Sequence, residues 1–250
     1  MPGELPLVLL PGMNCSARLW GPAGAGAVHG VLDRPGLATQ LDALRDALPE
    51  RFALAGLSLG GIVAMALTRH VPERVAGLCL MATNARPPTP EQHAAWDAQL
   101  ARLATGATAR ELQPLDLLLH DRTSADRALR MADEVGERAL TAQLRLQGTR
   151  VDERPALPSV SVPTLVIAGE RDRLCPVERH SEIADLVPGA QLHVVPDTGH
   201  LLPMEAPDVV AALLGEWLSE VRGLERRPPA ARAGEVAGPT AAAEPMPKER

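Results

Sequence analysis

Three residues far apart in this chain have the types, and the local settings, needed to attack a carbonyl carbon. Ser58 lies in Gly56-Leu57-Ser58-Leu59-Gly60, at the end of the apolar run Phe52–Leu57 and before an apolar helical pattern. Strand, tight turn and helix in that order are the sequence form of a nucleophile elbow. Such a turn strains the serine backbone and lifts its hydroxyl clear of the sheet. Gly56 and Gly60, having no Cβ, let the strand and helix pass closely. Leu59 opens the helix, so its N–H is unpaired and aimed where an oxyanion would form.

A serine needs a base. Of the seven histidines, His200 stands out. It follows the turn-forming Pro196-Asp197-Thr198-Gly199, just after the run Leu192–Val195. A histidine there can swing toward the carboxyl edge of a sheet. His193 lies within a strand and reads as structural. His29, His70, His93, His120 and His180 read as solvated, with His120 a candidate substrate contact. The base in turn needs a carboxylate to fix its tautomer. Thr164–Ala168 reads as a strand that runs into Gly169-Glu170-Arg171-Asp172. Asp172 is the preferred acid. Glu170 sits closer to the strand, and Asp197, three residues before His200, is badly placed to reach behind its ring. A second oxyanion donor is expected after the run Leu5–Leu10, in Pro11-Gly12-Met13-Asn14-Cys15. Gly12 permits a sharp turn that aims the Met13 amide at the substrate, and Asn14 is a candidate substrate-binding residue. Cys15 has no base beside it and reads as a bystander.

These residues need a frame. Leu5–Leu10, Val28–Leu32, Phe52–Leu57, Val75–Met81, Thr164–Ala168 and Leu192–Val195 read as buried parallel strands. Helical faces separate most of them: Leu37, Leu41, Leu44 and Leu48; Ile62 to Leu67, apolar nearly all round; and Val209, Val210, Leu213, Trp217 and Val221, with Pro207 at the helix start. This alternation predicts an α/β fold, a parallel sheet of about six strands with helices on both faces. From 86 to 158 the alternation stops, and four helices are expected. Trp96, Leu100 and Leu103 share a face, Thr108–Glu111 reads as a capping box, Ser124 as a cap, and Leu140 and Leu144 mark the last helix. The expected organisation is a core of residues 1–85 and 159–222, a helical cap or lid over 86–158, and a disordered tail over 223–250.

Composition excludes other classes. The chain has 250 residues, a net charge of −6 and 46% apolar residues. No basic face argues for nucleic acid. No apolar run reaches membrane length. Cys15, Cys79 and Cys175 are odd in number and irregularly spaced, which predicts free thiols, no metal site and a reducing, cytoplasmic compartment. Arginine greatly outnumbers lysine, as in GC-rich bacterial coding.

Taken together, Leu10-Pro11-Gly12-Met13, Gly56–Gly61, Gly169–Asp172, and Gly199-His200 with Met204-Glu205-Ala206-Pro207 resemble the α/β-hydrolase superfamily. They are most similar to its small, capped bacterial serine hydrolases, the group that holds pimeloyl-ACP methyl ester esterase and SHCHC synthase. The order nucleophile, acid, base is that family's order. The resemblance implies Ser58 as nucleophile, Asp172 and His200 as its partners, and the Met13 and Leu59 amides as oxyanion donors. It implies hydrolysis of a small ester, thioester or lactone, with a small acyl substrate and no cofactor. Carbon–carbon bond cleavage by the same residues, or ligand binding without catalysis, are the alternatives. Oligomeric state is not legible. The chain departs from the family in the short, glycine-rich stretch Trp20–Asp33, where a missing helix would expose core or open the pocket.

Overall fold

The computed structural model describes residues 4–226. Its strands are β1 (Leu7–Leu10), β2 (Val28–His29), β3 (Phe52–Leu57), β4 (Val75–Met81), β5 (Thr164–Gly169) and β6 (Gln191–Val195). They form one sheet in the order β2-β1-β3-β4-β5-β6, and every neighbouring pair is parallel. The chain runs outward from β1 to β2, then returns to the other side of β1 for β3. Strand order therefore reverses at β1 and β3, whose carboxyl ends open the crevice where such sheets place a site.

Side chains alternate across the sheet. Leu7 and Leu9 of β1 join Ala53, Ala55 and Leu57 in one core, closed by Trp217 and Val221 of α8 (Pro207–Glu225), which follows the single turn α7 (Leu202–Glu205). Val8 and Leu10 join Leu54, Leu78 and Leu80 in the other, beneath α1 (Leu37–Ala47), α2 (Leu59–His70) and Ile183 of α6 (Val177–Leu186). Every residue of α2 from Leu59 to Thr68 is buried, as its unbroken apolar run requires. Each fully buried leucine contributes roughly 1.5–3 kcal/mol over an exposed one.

The insertion between β4 and β5 contains α3 (Pro90–Ala104), the single turn α4 (Leu115–Leu118) and the long α5 (Ala125–Gly148). The segment bearing Leu140 and Leu144 follows a break in α5 at Gly136, whose φ of 71° is not helical, so the helix expected from Ser124 and the last helix are separate segments, as read. Thr108 and Glu111 do exchange the reciprocal bonds of a capping box, but close a turn and not a helix. Ser124 precedes α5 without capping it, because its hydroxyl donates to the Met204 carbonyl.

Other expectations need smaller corrections. β1 begins at Leu7 and not Leu5, and β2 is two residues long. After Gly30 donates to Leu9, the chain leaves the sheet and Val31 is exposed. Leu214, not Val209, faces the core from α8. Trp20–Asp33 does not bare the core: a 3-10 segment, Ala17–Gly24, buries Leu19 and Trp20 completely against the α8 side of the sheet. Helix α8 runs to Glu225, past the tail boundary expected at 222. The rest of that expected tail, 227–250, lies outside the described residues.

Candidate functional site

Ser58 has φ 55° and ψ −115°, a conformation that a side-chain-bearing residue rarely adopts. Its surroundings enforce it. Ser58 N donates to Met81 O at 2.9 Å, and its carbonyl accepts from Ile62 N and from the Thr83 hydroxyl at 2.8 Å. A Cβ on Gly56 would overlap the Gly60 carbonyl, and one on Gly60 would overlap the Leu10 carbonyl. Both glycines are needed because β3, α2 and the end of β1 meet at one point.

The acid and base segments arrive from β5 and β6. Asp172 Oδ2 accepts from His200 Nδ1 at 2.8 Å, and Oδ1 accepts from the amides of Leu174 at 2.8 Å and Cys175 at 2.9 Å. Both residues are buried, Asp172 at 5% and His200 at 2% exposure. Burial pushes the Asp172 carboxyl up, but the His200 ring and the two amides outweigh it and hold the group below its ordinary range. With Nδ1 engaged, Nε2 is the ring nitrogen left for the cavity. Asp197 instead pairs with Arg171 at the surface, and Glu170 accepts from the Asp197 amide.

The loop after β1 supplies the facing wall. It closes with Cys15 N donating to Gly12 O at 3.2 Å. The strained residue is Asn14, φ 56°, and not Gly12. Gly12 serves close approach, since a Cβ there would come within 3.0 Å of Leu57 Cδ2 and 3.6 Å of the Ser58 Cβ. Among the described residues no backbone acceptor takes the Met13 or Leu59 amide. Asn14 is buried and lines the cavity, yet its Nδ2 is committed to Ala109 O at 2.8 Å and Gln113 Oε1 at 2.9 Å, and its amide to Gln143. Only Oδ1 is left without a partner.

Ser58, His200, Gly12, Met13 and Asn14 thus share one cavity of about 270 Å³. Its remaining wall is mostly apolar and comes largely from the insertion, including Trp96, Leu112, Leu118 and Leu140. A wider surface hollow at Arg154 and Glu182 shares no residue with it. His120 lies in another hollow beside Asp172 and Asp197, outside the cavity that holds Ser58.

Three supporting residues escaped the sequence. His180, expected to be solvated, is fully buried. Its Nε2 accepts from Thr83 N at 3.0 Å, and burial pushes its pKa down to about 4. Thr83 in turn holds the Ser58 carbonyl. Glu205 Oε2 accepts from Gly199 N and His120 N, tying the His200 loop to the insertion. Its burial raises its carboxyl. An acid shortly after His200 was visible, but nothing local marked it as half-buried and bonded to two amides. Asp172, Cys175 and His200 also bring ligand-type atoms within 4.8 Å of one another. The Asp172 oxygens are already spent on three donors, and burial pushes the Cys175 thiol up to about 12. All three cysteines are free. Among the described residues no helix is long and apolar enough to cross a membrane.

Comparison with known proteins shows the family. The model of the alpha/beta hydrolase family matches residues 7–213. A pimeloyl-[acyl-carrier protein] methyl ester esterase of Aromatoleum aromaticum is 31% identical, over 83% of this chain and 96% of its own length. A 2-hydroxymuconate semialdehyde hydrolase of Pseudomonas putida is 31% identical over 68% of this chain, which spans 63% of that protein. The chain spans about half, 47%, of a biotin biosynthesis bifunctional protein of Cellvibrio japonicus, at 27% identity. The solved structure of a thermophilic esterase from Thermogutta terrifontis superposes with a TM-score of 0.75 at 27% identity, covering 87% of this chain and 90% of that one.

Proposed function

The chain belongs to the alpha/beta hydrolase family, and from that premise we propose that it is a hydrolase that cleaves a small ester, thioester or lactone through an acyl-enzyme on Ser58. The observation that carries this reading is the buried Asp172–His200 hydrogen bond, with His200 and Ser58 lining one cavity.

Ser58 Oγ attacks the substrate carbonyl carbon and passes its proton to His200 Nε2. The negative charge that builds on the carbonyl oxygen is met by the Met13 and Leu59 amides. Collapse of this intermediate expels the alcohol or thiol, which takes the proton from Nε2 and leaves the acyl group on Ser58. Water then attacks the acyl carbon, giving a proton to Nε2. The acid departs, and that proton returns to Ser58 Oγ. Asp172 stays ionised throughout, holding Nδ1 protonated and steadying the imidazolium. The insertion, residues 86–158, acts as a cap on a core of 1–85 and 159–222, and its apolar wall suits a small acyl group.

The test is a panel of p-nitrophenyl esters and acyl-CoA thioesters, run with the wild type and Ser58→Ala, alongside labelling by a fluorophosphonate probe. Turnover is expected to vanish in Ser58→Ala, and the label to map to Ser58. Equal turnover by the two proteins would overturn the assignment.

A further inference from the structure

Among the described residues, Arg150 carries a buried charge with no counter-charge. It stands just beyond α5 and is only 7% exposed. Its Nη1 donates to Gln147 Oε1 at 3.0 Å and its Nη2 to Gln92 Oε1 at 2.8 Å, and its guanidinium lies 5.4 Å from the centre of the Trp96 ring. Nε is buried without an acceptor. All its partners are neutral. The buried carboxylate nearest in sequence, Glu153, is taken by Arg69. The titratable group that does act on Arg150 is the Cys175 thiol, which burial keeps protonated. A guanidinium removed from water is costly until a negative group arrives.

That charge stands directly behind the wall of the Ser58 cavity. Gln92 and Trp96, the two side chains it touches on α3, both line the cavity. Gln92 Oε1 is held by Arg150 and by the Thr89 amide at 3.1 Å, so the side chain offers its Nε2 donors. An amide whose oxygen is bound by a cation donates more strongly through its nitrogen. No Asp or Glu lines the cavity. The rest of the wall is mostly apolar, Leu112 and Leu140 among it, with Asn14, Gln99 and Gln113 as its further polar side chains.

We infer that the cavity takes an acyl substrate bearing a carboxylate at the end remote from the scissile carbonyl, received by Gln92 in the field of Arg150. The apolar walls hold the intervening chain, and the carboxylate supplies the missing counter-charge. This rests on Ser58 being the nucleophile and adds the charge of the substrate to that reading. Arg150 acts through Gln92 and is a positioning residue.

The test uses ethyl hexanoate, which is neutral, and monoethyl adipate, which carries a terminal carboxylate, with ethanol release as the readout. The wild type is expected to favour monoethyl adipate by about tenfold in kcat/KM, mainly through KM. In Arg150→Met that preference falls to about one, and in Arg150→Lys, which keeps the charge, part of it survives. Fluorophosphonate labelling of Ser58 is followed in every protein. A wild type that does not prefer the anion, or a preference that persists in a labelled Arg150→Met, overturns the inference. Because the wild-type ratio is decisive alone, a misfolded variant leaves the test intact. Failure of the wild type to label at Ser58 would instead count against the nucleophile.

Discussion

Replacing Asp172 by asparagine tests the site most sharply, because the structure dictates how the amide must sit. Asp172 accepts three hydrogen bonds: two at Oδ1, from Leu174 N and Cys175 N, and one at Oδ2, from His200 Nδ1. Asparagine has the same shape but only one oxygen. That oxygen stays on the two amides, since an NH2 group there would face two N–H donors. Its Nδ2 then points at His200 Nδ1, which must become an acceptor. The ring proton moves to Nε2, the nitrogen facing the cavity, where it blocks uptake of the Ser58 proton. A wrong tautomer of this kind costs about ten-thousandfold in kcat, or about 5.5 kcal/mol in the barrier. Stability falls much less, by roughly 1.5–3 kcal/mol, because one charge-assisted bond is weakened and two are kept. Steady-state kinetics on a p-nitrophenyl ester measure the first quantity, and urea unfolding the second. Asp172→Asn retaining more than about a tenth of wild-type kcat would refute this reasoning. So would an equal loss in Asp197→Asn, whose carboxylate pairs only with Arg171.

Two further predictions concern the frame. Gly60→Ala places a Cβ onto the carbonyl oxygens of Leu10 and Pro11, which belong to backbone that cannot rotate away. We expect a loss of about 3 kcal/mol or more, read as a lowered urea midpoint, together with loss of Ser58 labelling; an unchanged midpoint would mean that β1 yields easily. His180 is neutral in the fold, its pKa pushed from 6.5 to about 4 by burial. Its contribution is therefore fully present above pH 6.5 and is lost as pH falls toward 4, by up to about 3 kcal/mol. His180→Gln keeps an acceptor for Thr83 N but cannot titrate there, so its stability should fall less than the wild type's between pH 7 and pH 4. Equal losses in the two proteins would place the acid sensitivity elsewhere.

The parts of this molecule that were legible in its sequence are those set by local rules. An apolar run that meets a glycine-flanked serine can hardly do anything but turn, and Ser58 turns with φ 55°. Strand ends and their order placed Asp172 and His200 before any contact was known. What escaped depends on partners distant in sequence. Asn14, whose positive φ was expected of Gly12, is held by Ala109, Gln113 and Gln143, about a hundred residues away. His180 looks like any helical histidine until Thr83 is found against it. The stretch Trp20–Asp33 reads as lacking a helix, because glycines disguise a 3-10 segment that packs Leu19 and Trp20 completely.

The insertion is part of what shapes the site, and this follows from where its polar bonds go. The carbonyl of Leu118 accepts the amides of both His200, at 2.9 Å, and Leu201, at 3.2 Å. Glu205 holds His120 N and Gly199 N on one oxygen. On the opposite wall, Gln143 of α5 takes the Asn14 amide while its Nε2 donates to Leu32 O. The loop that carries His200 and the loop that carries the Met13 amide are therefore each fastened to the insertion as well as to the sheet. All but the exposed His120–Glu205 bond are buried or part-buried, and a buried amide left without its partner costs about 1–3 kcal/mol. Displacing α4 and α5 as a rigid body would break several at once and release His200 and Met13 from their positions. A motion that admits substrate without that penalty has to come from elements that carry none of these bonds. Helix α3 is such an element. It bears Gln92, Trp96 and Gln99 on the cavity wall, and its polar tie to the rest of the insertion runs through Arg150 and Gln92.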